Sequence, residues 1–83
     1  MEKMMRLKEI FKNTVELDFD KMDAIALDKN FLGKHLELEP RDLVYLLDAI
    51  EREFNLTIPQ KTIAEGKFST FNNIYSIINS QMR

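Results

Sequence analysis

The chain has no cysteine, which excludes disulfide bonds, thiolate metal ligands and thiol nucleophiles from its chemistry. Only two glycines and two prolines interrupt its 83 residues, whereas 45% of the residues are hydrophobic and 31% are charged. That balance is typical of a folded, helix-rich chain rather than a disordered one. Because domains usually hold at least about 50 residues, we expect residues 1–83 to form a single domain.

A long apolar run is also missing. No such run follows the positively charged N-terminal residues, and charges interrupt every apolar stretch further along the chain. We therefore expect neither a signal peptide nor a membrane partner. The lack of cysteine fits a reducing compartment, so a cytoplasmic location is expected.

Positive charge is not in excess, since 12 Lys and Arg stand against 14 Asp and Glu. Nucleic-acid phosphates require a concentrated positive field, so we expect no nucleic-acid partner. The charge is unevenly spread, because residues 37–53 carry six acids and only two bases. The acids are Glu37, Glu39, Asp42, Asp48, Glu51 and Glu53, and the bases are Arg41 and Arg52. This segment is suited to a protein partner with a basic surface.

The spacing of apolar residues predicts two long helices. Apolar side chains recur at three- and four-residue steps from Glu2 to about Glu16, which is the period of helix one. The second helix is predicted to begin at Pro40, whose fixed φ suits a first helical turn, and to end at Asn55. Its apolar residues fall on one face and are Leu43, Leu46, Leu47, Ile50 and Phe54.

The rest of the chain predicts shorter elements. Residues 17–38 show no sustained period and predict a long, partly packed loop with short helical turns. A short third helix is predicted over residues 61–65, followed by Gly66, and Ser69 is expected to cap a last helix that runs through Ile78. No strand-like alternation competes, so the fold class is predicted to be all-α.

The segment from Glu39 to Pro59 resembles the second helix and following turn of acyl carrier proteins. In that family an acidic helix closes on Glu-x-Glu-Phe and leads through a turn to Ile-Pro. The matching residues here are Asp42, Leu46, Ile50, Glu51, Glu53, Phe54, Ile58 and Pro59. The resemblance extends more weakly over most of the chain. It implies a four-helix acyl-carrier-like bundle with a short third helix and a long loop between helices one and two.

One departure from the family pattern bears directly on function. The serine that carries phosphopantetheine in acyl carrier proteins is replaced here by Pro40, and Arg41 replaces the leucine that follows it. A proline has no hydroxyl to esterify, so the resemblance implies a docking or adaptor protein with no covalent cofactor and no catalysis of its own. The alternative is a genuine acyl carrier of fatty-acid, polyketide or peptide biosynthesis that uses an unrecognised attachment residue.

The sequence Pro-Arg-Asp-Leu at residues 40–43 is similar to serine-less, carrier-related proteins that accompany bacterial peptide-maturation systems. That likeness implies an adaptor whose partner is a biosynthetic or peptide-modifying enzyme. The chain itself is expected to be a monomer. The family meets its partners through helix two, so the expected contact residues are Arg41, Asp42, Tyr45, Asp48, Glu51 and Glu53. Val44 and Tyr45 lie at the edge of the predicted core face, where packing is the favoured role and an interface is the alternative.

Two further patterns invite sharper interpretations. His35 is the only histidine and has Glu37 and Glu39 near it in sequence. A third hypothesis is therefore an enzyme whose catalytic group is His35. A surface or packing role for His35 is favoured. Asp18 and Asp20 begin like a calcium loop. However, the sixth position is an aspartate rather than glycine and the twelfth is a lysine rather than glutamate, so we expect a solvated loop and no metal site.

Overall fold

Four α-helices form the framework of the chain in a computed structural model, which describes residues 2–82. They are α1 (Glu2–Val15), α2 (Pro40–Phe54), α3 (Gln60–Ala64) and α4 (Phe71–Gln81). No strand occurs among the described residues, so the predicted all-α class is confirmed, and α3 is the short helix of the set. None of these helices over residues 2–82 combines the length and the apolar character that crossing a bilayer requires.

The long connection between α1 and α2 contains two short 3-10 helices, Phe19–Lys21 and Ala24–Asp28. The predicted loop with helical turns is therefore confirmed. The connection is fastened to the bundle by Phe19, Ala26 and Phe31, whose side chains are all buried. It is also tied to the segment before α4, because the Phe31 N–H donates to the carbonyl of Ser69 at 2.9 Å.

A cluster of phenylalanines lies at the centre of the core. The ring of Phe11 on α1 lies 5.2 Å from Phe19, 5.3 Å from Phe31 and 5.4 Å from Phe71, measured between centroids. These are the separations that aromatic side chains favour. Because the four rings come from α1, the long connection and α4, the cluster holds three parts of the chain together. Every buried side chain among residues 2–82 is hydrophobic.

The ends of α2 follow the sequence closely. Pro40 is its first residue, and the Glu39 N–H donates to the Asp42 carboxylate at 2.9 Å, which fastens the first turn. At the other end Asn55 adopts a left-handed conformation with φ 52° and ψ 52°, as the sequence predicted. Both ends of the helix are therefore specified by local residues.

The helices after α2 differ slightly from the prediction. Helix α3 runs over Gln60–Ala64, one residue earlier than expected at each end. The expectation that Ser69 caps α4 was wrong, because Thr70 is the cap and its hydroxyl accepts from the Asn73 N–H at 3.1 Å. The Ser69 carbonyl accepts from the Phe31 N–H, which holds Ser69 one position before the cap.

Helices α1 and α2 are joined by a polar contact at their edge. Arg6 pairs with the Glu53 carboxylate at 3.1 Å and donates to the Glu53 carbonyl at 2.7 Å. Its guanidinium also lies 4.6 Å from the centre of the Phe54 ring, within the range of a cation–π interaction. This arrangement leaves the opposite side of α2 facing solvent.

Candidate protein-docking face

Within residues 2–82, no other element packs on the side of α2 that points away from the core. A helix turns through about 100° per residue, so buried Leu46, Ile50 and Phe54 mark one side of α2 and the side chains opposite them face solvent. We call this solvent side the outer face. It consists of Arg41, Val44, Tyr45, Asp48 and Arg52, all of which are exposed.

Val44 and Tyr45 are the apolar part of the outer face. Their exposed fractions are 64% and 57%, so the favoured prediction that they pack in the core was wrong. The physical reason is that the buried stripe on α2 is narrow, with Leu43 and Leu47 on its border and only partly buried. An aliphatic side chain beside an aromatic ring on an otherwise charged helix is a feature typical of interfaces.

The charges of the outer face are paired only loosely. Asp48 lies 3.2 Å from Arg52 one turn later, and Arg41 lies 3.4 Å from Glu39. All four side chains are well over half exposed. Exposed pairs of this kind contribute less than about 1 kcal/mol. Arg41 and Asp48 can therefore exchange their present partners for groups on another protein at small cost.

Three of the predicted contact residues make bonds within the chain. Asp42 accepts from the Glu39 N–H, and Glu51 accepts from the Ile58 N–H at 2.8 Å, which fastens the turn after α2. Glu53 binds Arg6 on α1. The structure thus brings Arg41, Tyr45 and Asp48 together on the outer face and uses the other three to hold the fold.

These internal bonds do not remove the negative charge of α2. A carboxylate that accepts from a backbone N–H keeps its full charge, as Asp42 and Glu51 do here. Among the six acids of residues 37–53, Glu39, Asp48 and Glu53 each lie beside an arginine, and the remaining three are Glu37, Asp42 and Glu51. A negative field around α2 therefore persists and can attract a basic surface over a distance. The residues placed to touch such a surface directly are those of the outer face.

Pro40 stands exposed at the first turn of α2, next to the outer face. The three serines of the chain lie elsewhere: Ser69 precedes α4, and Ser76 and Ser80 belong to it. Ser76 and Ser80 line an open groove of about 510 Å³ between α3 and α4. No sequence pattern predicts this groove, because the residues that line it belong to no motif.

His35 is exposed and lines an open depression of about 560 Å³ in the connection before α2. The other residues that line it are Lys29, Asn30, Gly33 and Lys34. Neither Glu37 nor Glu39 takes part, so the structure does not bring together the imidazole and the acids that the enzyme hypothesis combined.

The two aspartates that begin the calcium-loop pattern, Asp18 and Asp20, have structural partners. The Asp18 carboxylate accepts from the Asp20 N–H at 3.1 Å and so caps the first 3-10 helix, and Asp20 pairs with Lys8 on α1 at 3.0 Å. Within residues 2–82, no group of three or more histidine or carboxylate side chains is placed to hold a metal ion.

Comparisons with known proteins add no relative. No protein-family model matches the chain, and no curated protein or solved structure matches it. The resemblance to acyl carrier proteins therefore rests on the residues of this chain, and the function it implies stays a prediction.

Proposed function

We propose that the chain is a carrier-like protein that lacks the phosphopantetheine arm of a true carrier. It docks on a protein partner through the outer face of α2. One observation carries the proposal. Pro40 is the first residue of α2, where the resemblance places the phosphopantetheine serine. The proline ring offers no oxygen for a phosphodiester bond. The role that remains is recognition, with no covalent cofactor and no catalysis by this chain.

The composition of the outer face supports a docking role. Tyrosine and arginine are enriched at the energetic centres of protein interfaces, and here Tyr45 and Arg41 lie one helical turn apart with most of their surface exposed. Val44 adds apolar area beside them. A partner with an apolar cleft for Tyr45 and a carboxylate near Arg41 fits this arrangement.

We further propose that the partner is a biosynthetic or peptide-modifying enzyme with a basic surface. The acids of α2 support the charge of that surface, because long-range attraction depends on the summed field rather than on each direct contact. The Pro-Arg-Asp-Leu sequence at the start of α2 supports a place in a bacterial peptide-maturation system.

The absence of an arm is tested by intact mass. The protein is incubated with coenzyme A and a broad-specificity phosphopantetheinyl transferase, with an ordinary acyl carrier protein as the positive control. We expect the control to gain one phosphopantetheine group and this chain to keep its mass. A gain of one group on this chain would overturn the proposal and support the alternative of a genuine acyl carrier.

The docking face is tested by crosslinking in cells that make the protein naturally. A photoreactive phenylalanine replaces Tyr45 on the outer face or, as a matched control, exposed Lys12 on α1. We expect position 45 to form an adduct with one enzyme, identified by mass spectrometry as biosynthetic or peptide-modifying. Arg41→Asp should reduce that adduct. Equal adducts at both positions, or adducts at position 45 only with this chain itself, would contradict the docking proposal.

A further inference from the structure

We infer that the outer face of α2 also binds the outer face of a second copy. The two helices form an antiparallel dimer, and the two-fold axis runs between them, level with the midpoint of Val44 and Tyr45. This inference concerns the free protein and replaces the expectation of a monomer. It rests on the charges and spacing of the outer face and does not require the proposed enzyme partner.

The spacing of the outer face suits helix pairing. Arg41, Tyr45, Asp48 and Arg52 follow one another at steps of four, three and four residues. That is the spacing of the seam along which two helices pack against each other. No other element of the described part of the chain covers this seam, since Arg41, Asp48 and Arg52 have 75%, 62% and 80% of their side-chain surface exposed.

The order of charges selects the arrangement of the two copies. With the axis between Val44 and Tyr45, Arg41 and Asp48 lie on opposite sides of it at equal distances, each about 5 Å along the helix at a rise of about 1.5 Å per residue. An antiparallel copy therefore places its Asp48 level with Arg41 of the first. Because a two-fold interface repeats every contact, two such pairs form.

Two other arrangements of the same helices bring like charges together. In a parallel pair, Arg41 faces Arg41 and Asp48 faces Asp48 of the other copy. In an antiparallel pair in which one helix slides by four residues, Arg41 faces Arg52. Like charges directly opposite each other are destabilising. The charges of α2 are thus self-complementary when Arg41 faces Asp48. Pairing Asp48 with Arg52 of the second copy is also complementary, but it moves exposed Val44 and Tyr45 away from the axis, so the apolar centre selects the first register.

The centre of this dimer is apolar. Val44 and Tyr45 flank the axis, so each meets its own counterpart, and the two Tyr45 rings are placed where they can stack. When Asp48 pairs with Arg41 of the second copy, its present pair with Arg52 is weakened. The cost is small because that pair is exposed. One face of a 15-residue helix makes an interface smaller than the usual 1,200 Å² or so of a stable complex, so we expect a weak dimer.

Self-association on this face has a consequence for docking. A second copy covers Tyr45 and Arg41, so an enzyme partner that uses the outer face competes with the dimer. High concentration of the free chain then lowers its availability for docking, and a tight partner drives the dimer apart by mass action.

The experiment is sedimentation equilibrium on the full chain across micromolar to millimolar concentrations. It compares the wild type, Arg41→Asp, Asp48→Arg and the charge-swapped double variant that combines both. Lys12→Glu on α1 is the control for a change of surface charge away from α2. Circular dichroism of every variant confirms that the helices are retained, as the exposure of both positions leads us to expect.

We expect the wild type and Lys12→Glu to dimerise alike, each single reversal to weaken the dimer by about tenfold or more, and the double variant to recover most of the affinity. A wild type that stays monomeric at millimolar concentration would overturn the inference, as would single reversals that leave the dimer intact. A double variant no stronger than the single variants would exclude the proposed register. None of these results depends on the enzyme partner, so the docking proposal stands or fails separately.

Discussion

At the scale of single residues, neighbouring side chains of the same type have different roles. Asp42 and Asp48 both lie on α2, yet one accepts from the backbone at the helix start and the other faces solvent. Ser69 and Thr70 are adjacent hydroxyl residues, and only the second caps α4. Sequence alone does not separate such pairs, because the choice depends on contacts made by distant residues, here the bond from Phe31 to Ser69.

The cap of α4 provides a direct test at this scale. Thr70→Ala removes the acceptor for the Asn73 N–H and should lower the free energy of unfolding by about 1 kcal/mol. Ser69→Ala leaves that bond in place and should change the free energy of unfolding by less than half as much. Urea denaturation of both variants measures the difference. Equal losses would mean that Ser69 shares the capping role.

At the scale of the elements, α2 has a structural side and a free side. Its bounds were predictable because Pro40, Asn55 and a regular apolar stripe specify them locally. The two sides were only partly predictable. Periodicity located the buried residues Leu46 and Ile50. The exposure of Val44 and Tyr45 was not predictable, because it depends on how wide the contact between α2 and the rest of the core is.

Two acids on α2 distinguish its sides by experiment. Glu51→Ala leaves the N–H of buried Ile58 without its acceptor, so we expect a loss of about 1 to 2 kcal/mol in unfolding free energy. Asp48→Ala removes only an exposed pair and should cost less than about 0.5 kcal/mol. Thermal and urea unfolding measure both. A larger loss for Asp48 would contradict its assignment to the free side.

At the scale of the whole molecule, a small aromatic core carries the fold. Phe11 contacts Phe19, Phe31 and Phe71, so one side chain of α1 holds the long connection and α4 in place. The sequence indicated the helices and the partial packing of the connection. It did not indicate that Phe19 and Phe31 are buried, since residues in an aperiodic segment reach the core only through the tertiary arrangement.

The central role of Phe11 is testable through stability. Phe11→Ala should lower the free energy of unfolding by about 3 to 5 kcal/mol, a large part of the roughly 5 to 15 kcal/mol typical of a domain. Ile25→Ala, at a position 62% exposed, should change it by less than about 1 kcal/mol. Thermal unfolding followed by circular dichroism compares the two. A mild effect at Phe11 would contradict a core centred on this ring.

The central claim is that this carrier-like chain carries no arm, and its most direct test is the intact mass of the protein isolated from the cells that produce it. The account predicts the mass of the unmodified polypeptide, because Pro40 cannot be esterified and α2 contains no serine. A mass higher by one phosphopantetheine group would contradict the account and identify the chain as a carrier with an attachment residue outside the start of α2.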